Sequence, residues 1–261
     1  MDLSTIPVVI LAGGRGARFD HETQLKPKPM IEVCGKPLLE HIIDGFVRQG
    51  FREFWIAGGY LVEQIFEFFA EREWDEFESF AYRRDFRFDD VRIHVVDTGE
   101  LSHTGERVRI VAPRDSRFVL TYGDGLSDVN MRDVIAQHLM TSAVVTTVAV
   151  RPPNRFGVVE FDGQSTEVFS FTEKPQAGWI NGGFMVCEPE LAEMFKPYEG
   201  LVPELERDVM YTLATQGRLH AFRHDSFWHC IDSRRDLENL ELRVEMDDSD
   251  TLPWLVVRSR S

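Results

Sequence analysis

Residues 6–12, IPVVILA, constrain the fold more than any other stretch of the sequence. A continuous run rich in β-branched residues is typical of a strand buried on both faces of a parallel sheet. Gly13 and Gly14 end this run and begin a loop. Apolar residues then recur at helical spacing over 38–47, and Gly50 is suited to the helix stop. The sequence therefore opens with a strand, a glycine loop and a helix.

The same alternation continues through the first 150 residues. We predict strands at 54–59, 91–97, 117–124 and 143–150, and helices at 61–70 and 131–140. Such alternation favours a doubly wound α/β sheet with right-handed crossovers. The second half instead contains short strand-like segments at close spacing, over 156–163, 167–175 and 180–188, and then a helical pattern at 203–216. These segments predict antiparallel additions around the same sheet.

Composition limits the class of partner. The 261 residues include 44 Asp and Glu against 29 Lys and Arg, for a formal net charge of −15, which disfavours nucleic acid or an anionic membrane. Cys34, Cys187 and Cys230 are widely spaced and predict free thiols in a reducing compartment. The sequence shows no secretory signal and no membrane-spanning run, so a cytoplasmic protein is expected.

The sequence contains no linker-like tract or internal repeat. We therefore predict a single domain over 1–261. Residues 71–90 mix acids and aromatics without clear periodicity; solvated surface is the simpler interpretation and an oligomer contact the alternative.

The glycine loop lies next to an unusual group of lysines. A glycine loop after a buried strand lets backbone N–H groups approach a phosphate. The loop matches neither GxxxxGK[ST] nor the dinucleotide fingerprint, because Phe19 stands where the latter needs glycine. Only five lysines occur in the chain, and three of them, Lys26, Lys28 and Lys36, follow this loop. Pro27 and Pro29 restrict the backbone around Lys28 and so reduce the entropy cost of presenting its charge. These local cations would allow a protein with a negative net charge to bind an anionic ligand.

The stretch GGRGARFxxxTxxKPKPMIEVCGKP resembles the signature of the sugar-1-phosphate nucleotidyltransferases. Further motifs agree in order along nearly the whole chain: VVDTGELSHTGERV, FVLTYGDGLSDV, RFGVVEFD, FTEKP, INGGFMV and FWHCIDSRRD. Two departures are Ala17, where threonine is usual, and Glu106, where a second glycine is usual. The resemblance implies a Rossmann-like, three-layer mixed sheet and a Mg²⁺ cofactor. Within the single domain it also implies a nucleotide-binding part at about 1–130, a sugar-phosphate-binding part at about 131–240 and a C-terminal tail.

The resemblance also implies roles for particular residues. Arg18 and Lys28 are the expected catalytic cations. Two carboxylates, Asp124 and Asp232, are the expected metal ligands, although they could instead be a turn residue and a helix-cap neighbour. The nucleotide-binding set is Leu11, Gly13, Gly14, Arg15, Gly16, Lys26, Thr98, Gly105 and Gly123. The sugar-phosphate-binding set is Gly157, Glu173, Lys174, Asn181 and Gly182.

Within the family, KPKPM and CGKP most resemble the members that transfer a cytidylyl group from CTP to glucose 1-phosphate, so CDP-glucose and pyrophosphate are the products that the resemblance implies. The implied reaction is in-line attack on the α-phosphorus, which needs positioning and charge neutralisation rather than a nucleophilic side chain. The alternatives are a uridylyl- or thymidylyltransferase for this or another sugar 1-phosphate, and a non-catalytic nucleotide-sugar sensor. A homo-oligomer is expected.

Overall fold

The computed structural model describes residues 1–16, 25–72, 74–152, 157–173, 178–246 and 251–257. The strands in these ranges are β1 (Val8–Leu11), β2 (Glu32–Val33), β3 (Lys36–Pro37), β4 (Glu53–Gly58), β5 (Asp75–Phe80), β6 (Arg83–Phe88), β7 (Val91–Asp97), β8 (Phe118–Tyr122), β9 (Gly125–Ser127), β10 (Val145–Val150), β11 (Val158–Phe161), β12 (Val168–Thr172), β13 (Ile180–Cys187), β14 (Leu219–His224) and β15 (Trp228–Cys230). The α-helices are α1 (Leu38–Gln49), α2 (Val62–Ala70), α3 (Thr104–Val111), α4 (Met131–His138), α5 (Glu190–Glu193), α6 (Tyr211–Thr215) and α7 (Arg234–Glu245). A π-helix covers Leu205–Met210, and 3-10 turns cover Lys28–Met30 and Pro253–Leu255.

Nine strands form one sheet in the order β14-β10-β13-β8-β1-β4-β7-β6-β5. Its centre, β8-β1-β4-β7, is parallel. Strand β13 runs antiparallel between β10 and β8, and β6 runs antiparallel between β7 and β5. The predicted mixed, mostly parallel sheet is confirmed. Because β13 is reversed, its first residues lie at the same edge as the last residues of β1 and β8.

Both faces of the sheet are covered, which gives three layers. Along β1, Val8 and Ile10 pack into one apolar cluster, while Val9 and Leu11 pack into another on the opposite face. Helices α1, α2, α4 and α7 contribute to the first cluster. Helices α3, α5 and α6 and the π-helix contribute to the second. The unbroken apolar run of β1 follows directly from burial on both sides.

The predicted helix after the glycine loop is present as α1. Gly50 adopts φ 104°, and its N–H contacts the carbonyls of Phe46 and Val47. This left-handed conformation carries little steric cost for glycine, which explains the stop signal in the sequence. Pro37 is the N-cap residue and immediately precedes the helix.

Several segments differ from the sequence-based expectation. The predicted additions at 156–163 and 167–175 form β11 and β12, which pair with each other in a separate two-stranded sheet, and only β13 joins the main sheet. The interpretation of 71–90 as solvated surface was wrong in part: β5 is exposed at all six positions, but it pairs with β6, in which Asp85 and Phe86 are buried. Helix α3 was not predicted, because Gly105 and its polar neighbours weaken the helical pattern. The predicted helix at 203–216 is a π-helix that continues into α6.

All three cysteines lie within the described ranges and are free, as predicted. Cys34 is exposed, Cys187 is buried and Cys230 is intermediate. Among the described residues, no helix combines the length and the apolar character needed to cross a bilayer.

Candidate active site

A cleft of about 470 Å³ opens at the sheet edge where β1 and β8 end. This is the usual ligand position in open α/β sheets, and the volume lies in the usual range for a small-molecule site. The lining residues are Leu11, Ala12, Gly13, Gly14, Lys28, Pro29, Ser102, His103, Thr104, Arg107, Tyr122, Gly123, Asp124, Glu204 and Glu206. The cleft therefore contains the glycine loop and two of the predicted charged residues.

Lys28 and the two predicted metal-binding aspartates meet beside this cleft. The Lys28 Nζ lies 2.7 Å from Oδ2 of Asp124 and 2.7 Å from Oδ1 of Asp232. The lysine side chain is 12% exposed, and the two carboxylates are 29% and 32% exposed. Three residues from distant parts of the sequence thus form one partly buried charge cluster.

A short ladder separate from the main sheet brings the two aspartates together. Asp124 follows β8, and Asp232 lies two residues after β15. Strands β9 and β15 pair antiparallel through three residue pairs, and the Ile231 N–H donates to the Asp124 carbonyl at 2.9 Å. The N-cap of α7 is Ser233, whose side chain accepts from the Asp236 N–H. Ser233 rather than Asp232 therefore caps α7, and the Asp232 carboxylate contacts Lys28.

The electrostatics keep Lys28 protonated. Burial acts to lower the pKa of Lys28, but the Asp124 and Asp232 carboxylates act in the opposite direction and prevail. The pKa of Lys28 is therefore raised above its usual value, and the side chain is a cation at neutral pH.

The two aspartates have the right chemistry for a hard divalent cation. Ligand atoms of Asp124, Asp232 and Cys230 all lie within 4.8 Å of one another. Carboxylate oxygens are the donors that Mg²⁺ prefers, and this pair already holds one cation, the Lys28 ammonium. Cys230 was not predicted as part of the site. Burial, followed by the effect of Asp124, raises the pKa of its thiol to about 12, so it is a neutral neighbour of the cluster.

Arg107 supports the glycine loop from beneath and was also missed by the sequence analysis. Its guanidinium donates to the carbonyls of Gly13 at 2.9 Å and Gly58 at 2.8 Å, and to the Thr98 hydroxyl. Arg107 is only 4% exposed, and this burial lowers its pKa. The motif TGER contains the residue, but nothing in the motif indicates that the side chain is buried.

Two glycines make room for the Arg107 guanidinium. A Cβ at Gly13 would lie 2.0 Å from its Nη1, and a Cβ at Gly59 would lie 2.3 Å from the same atom. At Gly14 the space is open, because no described atom outside the adjacent residues lies within 4 Å of the Cβ position. The lack of a side chain at Gly13 thus makes room for the Arg107 guanidinium beneath the loop, while the lack of one at Gly14 leaves the backbone accessible from the cleft.

Tyr122 and Glu206 form another wall of the cleft. The Tyr122 hydroxyl donates to Glu206, and the Thr104 hydroxyl donates to the same carboxylate at 3.1 Å. Burial, together with Glu206, raises the pKa of Tyr122, so the phenol stays protonated and remains a donor. Sequence reasoning did not identify this wall, because Glu206 belongs to a π-helix that lies far away along the chain.

The start of β13 contributes the residues predicted to bind sugar phosphate. The Asn181 Oδ1 accepts from the Thr147 hydroxyl at 2.7 Å and from the Gly183 N–H at 3.0 Å. The Trp228 indole donates to the Gly182 carbonyl at 2.8 Å, which ties β13 to β15. Gly183 has φ 83° and a Cβ there would lie 2.7 Å from the Tyr122 ring. Close packing explains the glycines, and Asn181 itself is exposed.

Gly157 and Glu173 lie together at the base of the β11–β12 hairpin. A Cβ at Gly157 would lie 2.6 Å from the Phe171 ring and 3.0 Å from a Glu173 carboxylate oxygen. The two predicted residues are therefore neighbours, although they are 16 positions apart.

Several other predicted residues do not line the cleft. Arg15 pairs with Glu100, and Lys26 lies 3.4 Å from Glu32 on the surface. Gly16 adopts φ 59°. Thr98 donates to the Gly58 carbonyl, and Gly105 is buried where a Cβ would lie 1.9 Å from the Pro203 carbonyl oxygen. Arg18, Lys174 and Ala17 lie outside the described residues.

Comparison with known proteins gives a consistent result. Residues 7–237 match the model of the nucleotidyl transferase family. The glucose-1-phosphate cytidylyltransferase of Salmonella typhi is 37% identical over 252 residues, covering 89% of this chain and 93% of that protein. The mannose-1-phosphate guanylyltransferase catalytic subunit beta of Danio rerio is 26% identical, covering 87% of this chain and 61% of that protein. The structure of HddC from Yersinia pseudotuberculosis shares the fold with a TM-score of 0.65 at 21% identity, covering 92% of this chain and all of that one.

The sheet-edge cleft, the paired aspartates and these matches place the protein among the nucleotide-transferring α/β enzymes. The chain belongs to the nucleotidyl transferase family.

Proposed function

We propose that this enzyme transfers the cytidylyl group of CTP to glucose 1-phosphate, releasing pyrophosphate and CDP-glucose. The Lys28, Asp124 and Asp232 cluster beside the cleft carries the proposal, because it offers a cation for phosphate and two carboxylates for a metal. The choice of cytosine and glucose draws support from the Salmonella typhi relative, whose name specifies both.

In this proposal the cleft residues act by binding and orientation. The open backbone at Gly14 admits a phosphate, and Lys28 supplies positive charge from the turn that lines the same cleft. Arg107 fixes the Gly13 carbonyl and so holds the loop in one conformation. Attack by the sugar-phosphate oxygen on the α-phosphorus needs this alignment more than it needs a nucleophilic side chain.

We propose Mg²⁺ as the cofactor, held by Asp124 and Asp232. When bound, the ion would neutralise charge on the reacting phosphates. Tyr122 and Glu206 would border the nucleotide on the side facing α3. Asn181 and Glu173 would contact sugar hydroxyls, as amide and carboxylate groups commonly do.

The proposal also divides the chain into two working parts. Residues up to about 130 would hold the nucleotide, since they supply the glycine loop, Lys28 and Asp124. Residues from about 131 to 240 would hold the sugar phosphate, since they supply Asn181 and Glu173 at the start of β13 and the end of β12. Asp232 would join the two parts at the metal.

The first prediction concerns base selectivity. With Mg²⁺ and glucose 1-phosphate, we expect CTP to give roughly 10-fold or greater turnover than UTP, dTTP, ATP or GTP. Cytosine carries an amino donor where uracil and thymine carry a carbonyl, and an unpaired buried acceptor costs about 1–3 kcal/mol. Pyrophosphate release across a panel of five nucleoside triphosphates and several sugar 1-phosphates measures this preference.

The same panel separates the alternatives. Equal or faster release with UTP or dTTP would contradict the cytidylyl assignment. Faster release with another sugar 1-phosphate would contradict glucose only. An absence of release with every pair, from protein that binds nucleotide, would instead favour a sensor.

A further inference from the structure

Lys28 occupies the position between the two carboxylates that the proposed metal would share. Its Nζ is 2.7 Å from one oxygen of each, so two of its three N–H donors are engaged. At these distances a hydrated divalent cation bound to both oxygens would lie against the ammonium. Two cations at such separation in a partly buried cluster repel strongly.

We propose that Lys28 is the built-in counter-ion of the metal carboxylates, and that the metal and the Lys28 ammonium exchange at Asp124 and Asp232. This inference rests on the metal site of the proposed function. Before a metal binds, the ammonium balances the two negative charges and holds the carboxylates in position. When a metal binds, the ammonium moves out of the pair and into the cleft.

The turn around Lys28 permits this movement without a change of backbone. Lys28 begins a 3-10 turn between Pro27 and Pro29, in which the Met30 N–H donates to the Pro27 carbonyl at 2.8 Å. The prolines fix the local backbone, whereas the lysine side chain has four rotatable bonds. Lys28 also lines the cleft with Gly13 and Gly14, so its displaced ammonium reaches the space proposed for the triphosphate.

Exchange couples metal binding to nucleotide binding. A polyphosphate that binds the displaced ammonium stabilises the metal-bound state, and the metal in turn frees the ammonium for phosphate. Coupling of this kind is reciprocal by thermodynamic necessity. The lysine therefore keeps metal affinity low until a nucleotide is present.

Metal binding without nucleotide provides the first test. We expect Lys28→Met to bind Mn²⁺ at least about 10-fold more tightly than the wild type, measured from free Mn²⁺ by electron spin resonance. The matched control is Lys26→Met, two residues away, which removes the same charge from a 55% exposed position. The control is expected to bind Mn²⁺ like the wild type. Unchanged or weaker binding by Lys28→Met, or equal gains in both variants, would overturn the proposal.

Chemical labelling tests the movement itself in the wild type. With only five lysines in the chain, acetylation by acetic anhydride can be followed at each one by peptide mass spectrometry. Mg²⁺ is expected to increase labelling at Lys28 relative to NaCl of equal ionic strength. Lys36, 3.4 Å from Glu40 and Asp44 on the surface, is the internal control and should not change. Slower or unchanged labelling of Lys28 would contradict the exchange.

Neither measurement uses substrate, so the two proposals fail separately. Mg²⁺-dependent turnover without exchange would leave the function standing and remove this inference. Exchange of the metal and the ammonium without turnover would support this inference and contradict the proposed function.

Discussion

Asp232→Asn is expected to lower turnover by about 10²-fold or more, because an amide keeps the shape of the carboxylate but removes the charge that holds a hard cation. The fold should persist, since the carboxylate is 32% exposed and contacts Lys28 rather than the core. A melting temperature within about 4 °C of the wild type corresponds to roughly 1 kcal/mol for a protein of this size. Pyrophosphate release and thermal denaturation measure the two effects.

Asp44→Asn is the control for a general loss of negative charge. Asp44 is a surface carboxylate 3.4 Å from Lys36, so its replacement should change neither turnover nor melting by a measurable amount. If Asp232→Asn kept full turnover and melted earlier, Asp232 would be a structural residue at the start of α7.

Arg107→Met is expected to destabilise the protein by about 2–4 kcal/mol, because hydrogen bonds from a charged donor are worth roughly 1.5–3 kcal/mol each. The variant would lose the bonds to Gly13, Gly58 and Thr98, which join the glycine loop to β4 and β7. A looser loop should also raise the KM for the nucleotide. Denaturant unfolding and steady-state kinetics measure these effects.

Arg114→Met provides the matched control, since Arg114 is 55% exposed and pairs with Glu193 on the surface. Its effect on the free energy of unfolding should stay within about 0.5 kcal/mol.

Gly59→Ala should disturb the packing of the Arg107 guanidinium from the side of Gly59, because its Cβ would lie 2.3 Å from the Arg107 Nη1. In the Arg107→Met background Gly59→Ala should cost less, and full additivity of the two changes would contradict the assigned packing.

The sequence was sufficient for the elements whose burial pattern is regular. The run ending in Gly13 and the helix ending in Gly50 are specified locally, by apolar spacing and by glycine conformation. Helix α3 and strand β5 depend on tertiary packing instead. Gly105 fits in α3 because it packs under Pro203, and β5 is a strand because it pairs with β6.

The candidate site was predictable as separate pieces but not as an arrangement. Motifs pointed to Lys28, Asp124 and Asp232, yet the lysine is 96 and 204 positions from its two partners. Cys230 lies inside a strand-like motif and shows its proximity to the carboxylates only once β9 and β15 pair. Nothing in the sequence around Arg107 indicates that its side chain is buried.

The small β9–β15 ladder has a consequence for how the enzyme loses activity. Asp232 depends on three residue pairs outside the nine-stranded sheet, and short ladders open locally at a lower free energy than the global unfolding of a core. Backbone amides of β15 should therefore exchange with solvent deuterium sooner than those of β1. Warming or mild denaturant would separate Asp232 from Asp124 while the main sheet is still intact, so inactivation precedes unfolding.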